Sequence, residues 1–298
     1  MQAGRVLALL PLVAAMAGAQ SPMPSAVRRE VVEWTDSVTT RAIVWSPINN
    51  ARSLPTLLFS PGFGQAPGDY SRLLESWASR GYIVVGVTHP EFKDPDHAEL
   101  YDVSPVVARQ LMDVLTHILG EQVRSAGPFA RVDPLRVGVV GHSVGGSAAA
   151  QACSLDDRFR AGMNLDGTIF GSVVHTGMRQ PFFLMRQYVA VSAKDPPRFL
   201  EQHDQGNMHE DSVFAHTPVM YWLTVPGLDH MAFTNAALDE STMRQIKEVA
   251  GFGTSAKKVQ EMTTRYVLDF FGAYLSGALR SPNLETSPYS GTTIRFRR

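Results

Sequence analysis

The chain has 298 residues, 44% of them hydrophobic and 18% charged, with a formal net charge of −1. That is enough to bury one sizeable core, and with no basic cluster it gives no footprint for a nucleic-acid partner. One cysteine, Cys153, excludes an intramolecular disulfide, so stability has to come from the core.

Arg5, the apolar stretch Val6 to Ala17 and the small-x-small run Ala17-Gly18-Ala19 read as a secretory signal peptide over residues 1–19. The apolar stretch is shorter than the roughly 20 residues a bilayer span needs, and Pro11 interrupts it. Residues 20–298 are then expected as one domain, secreted or periplasmic, without stable membrane insertion once the leader is removed.

Val27 to Trp34 and Val38 to Trp45 are rich in β-branched and aromatic residues and predict an antiparallel hairpin at a sheet edge. Pro55 to Ser60 is a short buried strand running into Pro61-Gly62-Phe63-Gly64. Tyr70, Leu73, Leu74 and Trp77 recur at helical spacing behind Asp69 and stop at Gly81. Tyr82 to Val87 predicts a strand, and Val107, Leu111, Val114, Leu115 and Ile118 mark a helix ending at Gly120. Further strands are predicted at Leu135 to Val140, Arg160 to Leu165, Phe182 to Met185 and Val219 to Thr224, and a last helix on Met262, Tyr266, Val267, Phe270 and Tyr274. This alternation predicts a mostly parallel central sheet with helices on both faces and an antiparallel N-terminal edge. Ala190 to His216 reads as short helices and loop over the sheet edge, and Arg295 to Arg298 as a solvated tail.

Gly141-His142-Ser143-Val144-Gly145 lies between the strand ending at Val140 and the small-residue helix start Gly146 to Ala150. A serine at such an apex is held exposed on a strained turn, and the glycines let strand and helix pass closely. Ser143 is the candidate nucleophile. It needs a neutral imidazole to remove its proton and a carboxylate to hold that imidazole's tautomer. His230 follows the last predicted parallel strand and is the candidate base; His89, also just past a strand, is its rival among nine histidines. Asp166 follows the strand after the elbow, 23 residues past the serine. Asp195, in the polar loop after the next strand, and Asp229, beside His230, compete with it. Ser143, Asp166 and His230 all follow strands, the edge at which open parallel sheets bind ligands. The amides of Val144 and Phe63 are the expected oxyanion donors. Phe63, Ile169 and Phe170 are expected to line a shallow substrate pocket.

Leu58 to Gly64, Gly81-Tyr82-Ile83-Val84, Thr88-His89-Pro90, the elbow through Gly146, Arg158 to Gly167 and His230 together resemble the plasma and type II platelet-activating factor acetylhydrolase family. The resemblance runs from about Leu54 to Phe233. It implies an α/β-hydrolase fold, a triad acid directly after the elbow helix and its strand, which favours Asp166, and calcium-independent hydrolysis of short or oxidised sn-2 acyl chains. The chain departs from that pattern at Pro61, where histidine is usual, and at Thr168, where an aromatic is common. Secreted bacterial polyester hydrolases (cutinase-like) are similar at the elbow. Their acid, however, follows the next strand, and they carry a C-terminal disulfide that one cysteine cannot make.

The expected function is therefore a secreted serine carboxylester hydrolase that acts on a small-molecule ester or lipid without a cofactor. A non-catalytic hydrolase-like binding protein is the reading from another class, and it would be expected to lack a triad or oxyanion element. His203, Asp204, His209 and His216 form a polar cluster whose spacing matches no zinc pattern, so no metal is expected.

Overall fold

The N-terminal β-branched runs form strands β1 (Val27–Thr35) and β2 (Thr39–Pro47), paired antiparallel from Val27 opposite Pro47 to Thr35 opposite Thr39. The computed structural model describes residues 24–36, 38–90, 100–188, 191–239 and 255–298; the leader read over residues 1–19 lies outside them. Seven further strands are described: β3 (Leu54–Ser60), β4 (Ile83–Val87), β5 (Val132–His142), β6 (Phe159–Leu165), β7 (Phe182–Tyr188), β8 (Met220–Pro226) and β9 (Thr293–Arg297). Their order across the sheet is β1-β2-β4-β3-β5-β6-β7-β8-β9. Pairing is parallel from β4 through β8 and antiparallel at both edges.

Every residue of β3 and β4 is buried, as expected for strands covered on both faces. Helices α2 (Leu100–Leu119) and α4 (Val144–Leu155) cover one face, where Val107, Leu111, Leu115 and Ala148 pack with Leu58, Val137 and Val139. α1 (Ser71–Ala78) and the C-terminal helix α7 (Ala256–Leu275) cover the other, where Leu73, Trp77, Met262, Tyr266 and Phe270 meet Leu57, Phe59 and Val140. Consecutive residues Val139 and Val140 thus serve opposite cores, the period of two expected of a strand. Each large apolar side chain so buried stabilises the fold by about 1.5–3 kcal/mol. Two one-turn helices, α3 (Glu121–Arg124) and α5 (Val173–Thr176), lie in the connections between strands.

The chain departs from the sequence expectation in two places. Residues 197–216 are one continuous helix, α6 (Pro197–His216), not short helices and loop. Its sequence is so polar that only Gly206, Glu210, Val213 and Phe214 are buried, too few for a clear apolar stripe. The expected solvated tail is strand β9, antiparallel to β8, with Thr224 opposite Thr293 and Met220 opposite Arg297. Its arginines stay exposed to solvent, yet Arg295 is engaged: its guanidinium lies 3.9 Å from the Phe214 ring centroid and pairs with Asp211 at 2.6 Å. An arginine stem and planar head can cover aromatic surface that sequence polarity alone would assign to solvent. The antiparallel N-terminal edge therefore has an antiparallel C-terminal counterpart.

Candidate active site

Four chain segments meet beyond the carboxyl ends of β3, β5, β6 and β8. The run Pro61-Gly62-Phe63 follows β3 directly, and Ser143 follows β5, caps α4 and has φ 56° and ψ −124°. A non-glycine residue in that region is strained and has to be held by its surroundings. The hold is visible: the Ser143 amide donates to the Leu165 carbonyl at 3.0 Å, and its own carbonyl accepts from the Gly146 and Ser147 amides. Close approach explains the glycines. A Cβ on Gly145 would stand 2.3 Å from the Ser60 carbonyl oxygen, and one on Gly167 would stand 2.0 Å from that of Ser143. Val144 opens α4, so its amide has no intrahelical acceptor and points toward the elbow.

Asp166, directly after β6, is the other non-glycine residue with positive φ, 56°, among the described residues. The Asn164 side chain fixes its turn by accepting from the Gly167 amide at 2.7 Å and donating to the Gly167 carbonyl at 2.8 Å. Asp166 Oδ1 accepts from the Gln187 amide at 2.8 Å, and Oδ2 accepts from His230 Nδ1 at 2.7 Å. With its proton on Nδ1, a neutral His230 leaves Nε2 as an acceptor, the atom a general base uses. The His230 side chain is 40% exposed while that of Asp166 is fully buried, so the ring faces solvent and its partner does not. His142, the residue before Ser143, sets its ring 4.6 Å from that of His230.

The rival residues are occupied elsewhere. Asp195 accepts from the Ser192 amide in a local turn at 2.7 Å, and Asp229 caps the 3-10 turn at His230 through the Met231 amide. His89 is buried, accepting from Ser60 Oγ at 2.9 Å and donating from Nδ1 to Gln110 Oε1 at 2.6 Å. The four polar residues read as a cluster lie along α6. His209 donates to the Ile169 carbonyl, His216 to that of Ser212, and His203 lies against Asp204 and Asn207. Of the three residues expected to line the pocket, Phe63 is exposed and Phe170 half-buried, its ring edge-on to His209. Ile169 is a correction: it is wholly buried in the core cluster that holds Val173 and Val213, because the turn after Asp166 directs it inward.

Arg186 stands behind Asp166. Its Nη1 is 3.5 Å from Asp166 Oδ1, and its Nε is 2.9 Å from Glu210 Oε1 on α6. The latter approach is misaligned for a hydrogen bond, and neither Glu210 oxygen has a hydrogen-bond partner. Burial, opposed by Arg186, pushes the Glu210 carboxyl up to about 7.

Sequence reasoning missed Tyr70 and His142. The Gly62 amide donates to Tyr70 Oη at 3.1 Å, and Tyr70 Oη lies 2.7 Å from His142 Nδ1. His142 Nε2 is 2.8 Å from the His230 carbonyl. In the sequence Tyr70 reads as a core position of its helix and His142 as part of the elbow motif beside Ser143. Only the presence of polar atoms at two such buried positions could have signalled more.

A parallel sheet with helices on both faces, and a strained serine, an acid and a histidine at its carboxyl edge, define the α/β-hydrolase class. The family model described as platelet-activating factor acetylhydrolase, isoform II, matches residues 116–276, and the model described as chlorophyllase matches residues 19–169. The chain belongs to the platelet-activating factor acetylhydrolase, isoform II, family of α/β-hydrolases. It is 34% identical over 137 residues to a probable 1-alkyl-2-acetylglycerophosphocholine esterase of Arthroderma benhamiae, covering 42% of this chain and 34% of that one. With the platelet-activating factor acetylhydrolase of Canis lupus familiaris it shares 28% over 192 residues, covering 50% and 43%. With that of Cavia porcellus it shares 30% over 190 residues, covering 50% and 44%. The chain thus spans less than half the length of these three relatives. The fold is shared with a ferulic acid esterase from Streptomyces cinnamoneus, with a TM-score of 0.74 at 22% identity over 93% of this chain and 98% of the other.

Proposed function

We propose that this protein is a serine carboxylester hydrolase that forms an acyl-enzyme on Ser143, with His230 as general base and Asp166 as its orienting acid. The observation that carries this reading is the 2.7 Å contact from His230 Nδ1 to Asp166 Oδ2, made at the sheet edge that also carries the strained Ser143. In the forward step Ser143 Oγ attacks the ester carbonyl as its proton passes to His230 Nε2. The developing oxyanion is met by the amides of Val144 and Phe63, and the imidazolium then protonates the departing alcohol. Water repeats the sequence and frees the acid.

The substrates proposed are short-chain acyl esters, including phospholipids with acetyl or short sn-2 chains, in keeping with the activity for which the Arthroderma relative is named. An acid placed directly after β6 argues against the polyester-hydrolase arrangement. The leader read over residues 1–19 supports an exported enzyme, and no helix among the described residues is long and apolar enough to cross a membrane. Labelling with a fluorophosphonate probe tests the reading, because only an activated serine reacts. The wild type should label and Ser143→Ala should not, with kcat down about 10⁴-fold or more. Labelling retained in the variant would refute it.

A further inference from the structure

We infer that Tyr70 and His142 are positioning residues that hold the oxyanion loop, the nucleophile's turn and the base in one register through a single directed chain of hydrogen bonds. The inference rests on the proposed reading of Ser143, His230 and Phe63, and deepens it.

The direction of the chain is forced. A backbone carbonyl can only accept, so His142 Nε2, 2.8 Å from the His230 carbonyl, carries a proton. His142 is neutral, because burial and the neighbouring His230 pull its pKa down to about 3. Its Nδ1 is therefore an acceptor, and the atom facing it at 2.7 Å, Tyr70 Oη, must donate. That leaves the Tyr70 oxygen to accept from the Gly62 amide at 3.1 Å. The chain runs from Gly62 N–H to Tyr70, from Tyr70 O–H to His142, and ends with His142 N–H on the His230 carbonyl.

Two of the three bonds join parts of the site that nothing local would align. Gly62 precedes the proposed donor Phe63, His142 precedes Ser143, and the last carbonyl belongs to the base itself. The spacing along the chain is 72 residues between Tyr70 and His142 and 88 between His142 and His230. The fit is tight, since a Cβ on Gly62 would stand 2.9 Å from His142 Nδ1 and 3.3 Å from the Ser143 Cβ. Packing alone does not need the phenol. The Tyr70 ring sits 4.9 Å from that of Phe59 inside the core, a place a phenylalanine would fill equally well. What the hydroxyl adds is a partner for two buried polar atoms on two of the site's segments. Neutrality matters too, because a charged His142 would repel the imidazolium that forms at His230 during turnover.

Tyr70→Phe removes one oxygen and keeps the ring. The expected result is a fall in kcat of about 10- to 100-fold on nitrophenyl acetate, with KM within about twofold, since the loss is in alignment of transition-state donors. Inhibition by a trifluoromethyl ketone, whose adduct with Ser143 carries the same oxyanion, should weaken by the same factor. His142→Leu should lose at least as much. His142→Gln, which offers an acceptor and a donor on one planar amide, should recover part of it, so the pair keeps the inference testable if Tyr70→Phe folds poorly. An unchanged kcat, a rise confined to KM, a lowered melting temperature with analogue affinity intact, or no difference between the leucine and glutamine variants would each overturn it. Fluorophosphonate labelling of the wild type at Ser143 is read first. If it fails, the proposed reading falls; if it succeeds while the variants behave as wild type, only the positioning role falls.

Discussion

His230 reaches Asp166 across an intervening strand: the histidine follows β8, the acid follows β6, and Nδ1 still lies 2.7 Å from Oδ2. The reach is possible because positive φ at Asp166 turns its carboxylate along the sheet edge, where the Gln187 amide at the end of β7 holds the second oxygen at 2.8 Å. One oxygen anchors and the other orients.

Asp166→Asn should therefore leave the fold intact and lower kcat by about 10⁴-fold, because an amide can donate to Nδ1 and so select the wrong tautomer. Asp195→Asn should change kcat by less than about threefold, since Asp195 serves a local turn with Ser192. Steady-state kinetics on both variants, with melting temperatures alongside, decides between the acids; the reverse order would assign the role to Asp195.

The elbow's closeness gives a second expectation. A methyl group on Gly167 would meet the Ser143 carbonyl oxygen at 2.0 Å, and that oxygen is backbone at the start of α4 while Asn164 holds Gly167 on the other side, so neither can step aside cheaply. Gly167→Ala should cost at least about 1–3 kcal/mol of stability, and activity should fall with the displaced turn. Urea unfolding and kcat measured together check this; a variant as stable and active as wild type would mean the turn relaxes freely.

Glu210 ties stability to pH. Burial raises its pKa to about 7 from an ordinary 4.5, with Arg186 opposing and Asp166 and Asp211 adding to the rise. Between those two values the folded protein keeps a proton that the unfolded chain has released, so raising the pH removes stability. The contribution is fully present below about pH 4.5 and lost above about pH 7, a difference on the order of 3 kcal/mol. Glu210→Gln keeps the shape without the titration. Its stability advantage over wild type should be near zero at pH 4 and should grow to pH 8 in thermal or urea unfolding. An advantage independent of pH would show that Glu210 does not titrate in this range.

The parts of the site that were legible in the sequence are those whose role is fixed locally. The candidate nucleophile Ser143 announces itself because strand, turn and glycines are consecutive, the candidate acid Asp166 because it directly follows β6, and the candidate base His230 because it lies in the turn just past β8. Tyr70 and His142 were not legible, since their polar atoms acquire meaning only when segments 72 and 88 residues apart meet. The fold divides the same way. Helices with a clean apolar stripe, such as α1 and α7, were readable, whereas α6 is anchored by a few contacts within a polar sequence. Strand β9 was hidden because Arg295 uses its stem and planar head against Phe214 and Trp222, where an apolar residue would have signalled the strand.

That anchoring of α6 decides what the site should accept. In many lipases a helical segment between sheet strands lifts to admit long acyl chains, and α6 lies between β7 and β8 where such a segment could sit. Its C-terminal half is fixed, however. Val213 and Phe214 are buried, Ser212 Oγ donates to the Val174 carbonyl at 2.7 Å, and Glu210 pairs with Arg186. Lifting it would expose this apolar surface and leave Arg186 without Glu210. With Phe63 exposed and Phe170 half-buried in the turns that follow β3 and β6, the apolar wall is expected to contact a few methylenes, each worth roughly 0.8 kcal/mol if fully buried. The gain ends where the acyl chain leaves the wall. On nitrophenyl esters kcat/KM should therefore rise from acetate to a maximum near C4 and fall steeply by palmitate, with no jump at the micellar threshold. If palmitate turns over as fast as butyrate, or activity appears only above that threshold, α6 moves as a lid and the open-cleft reading fails.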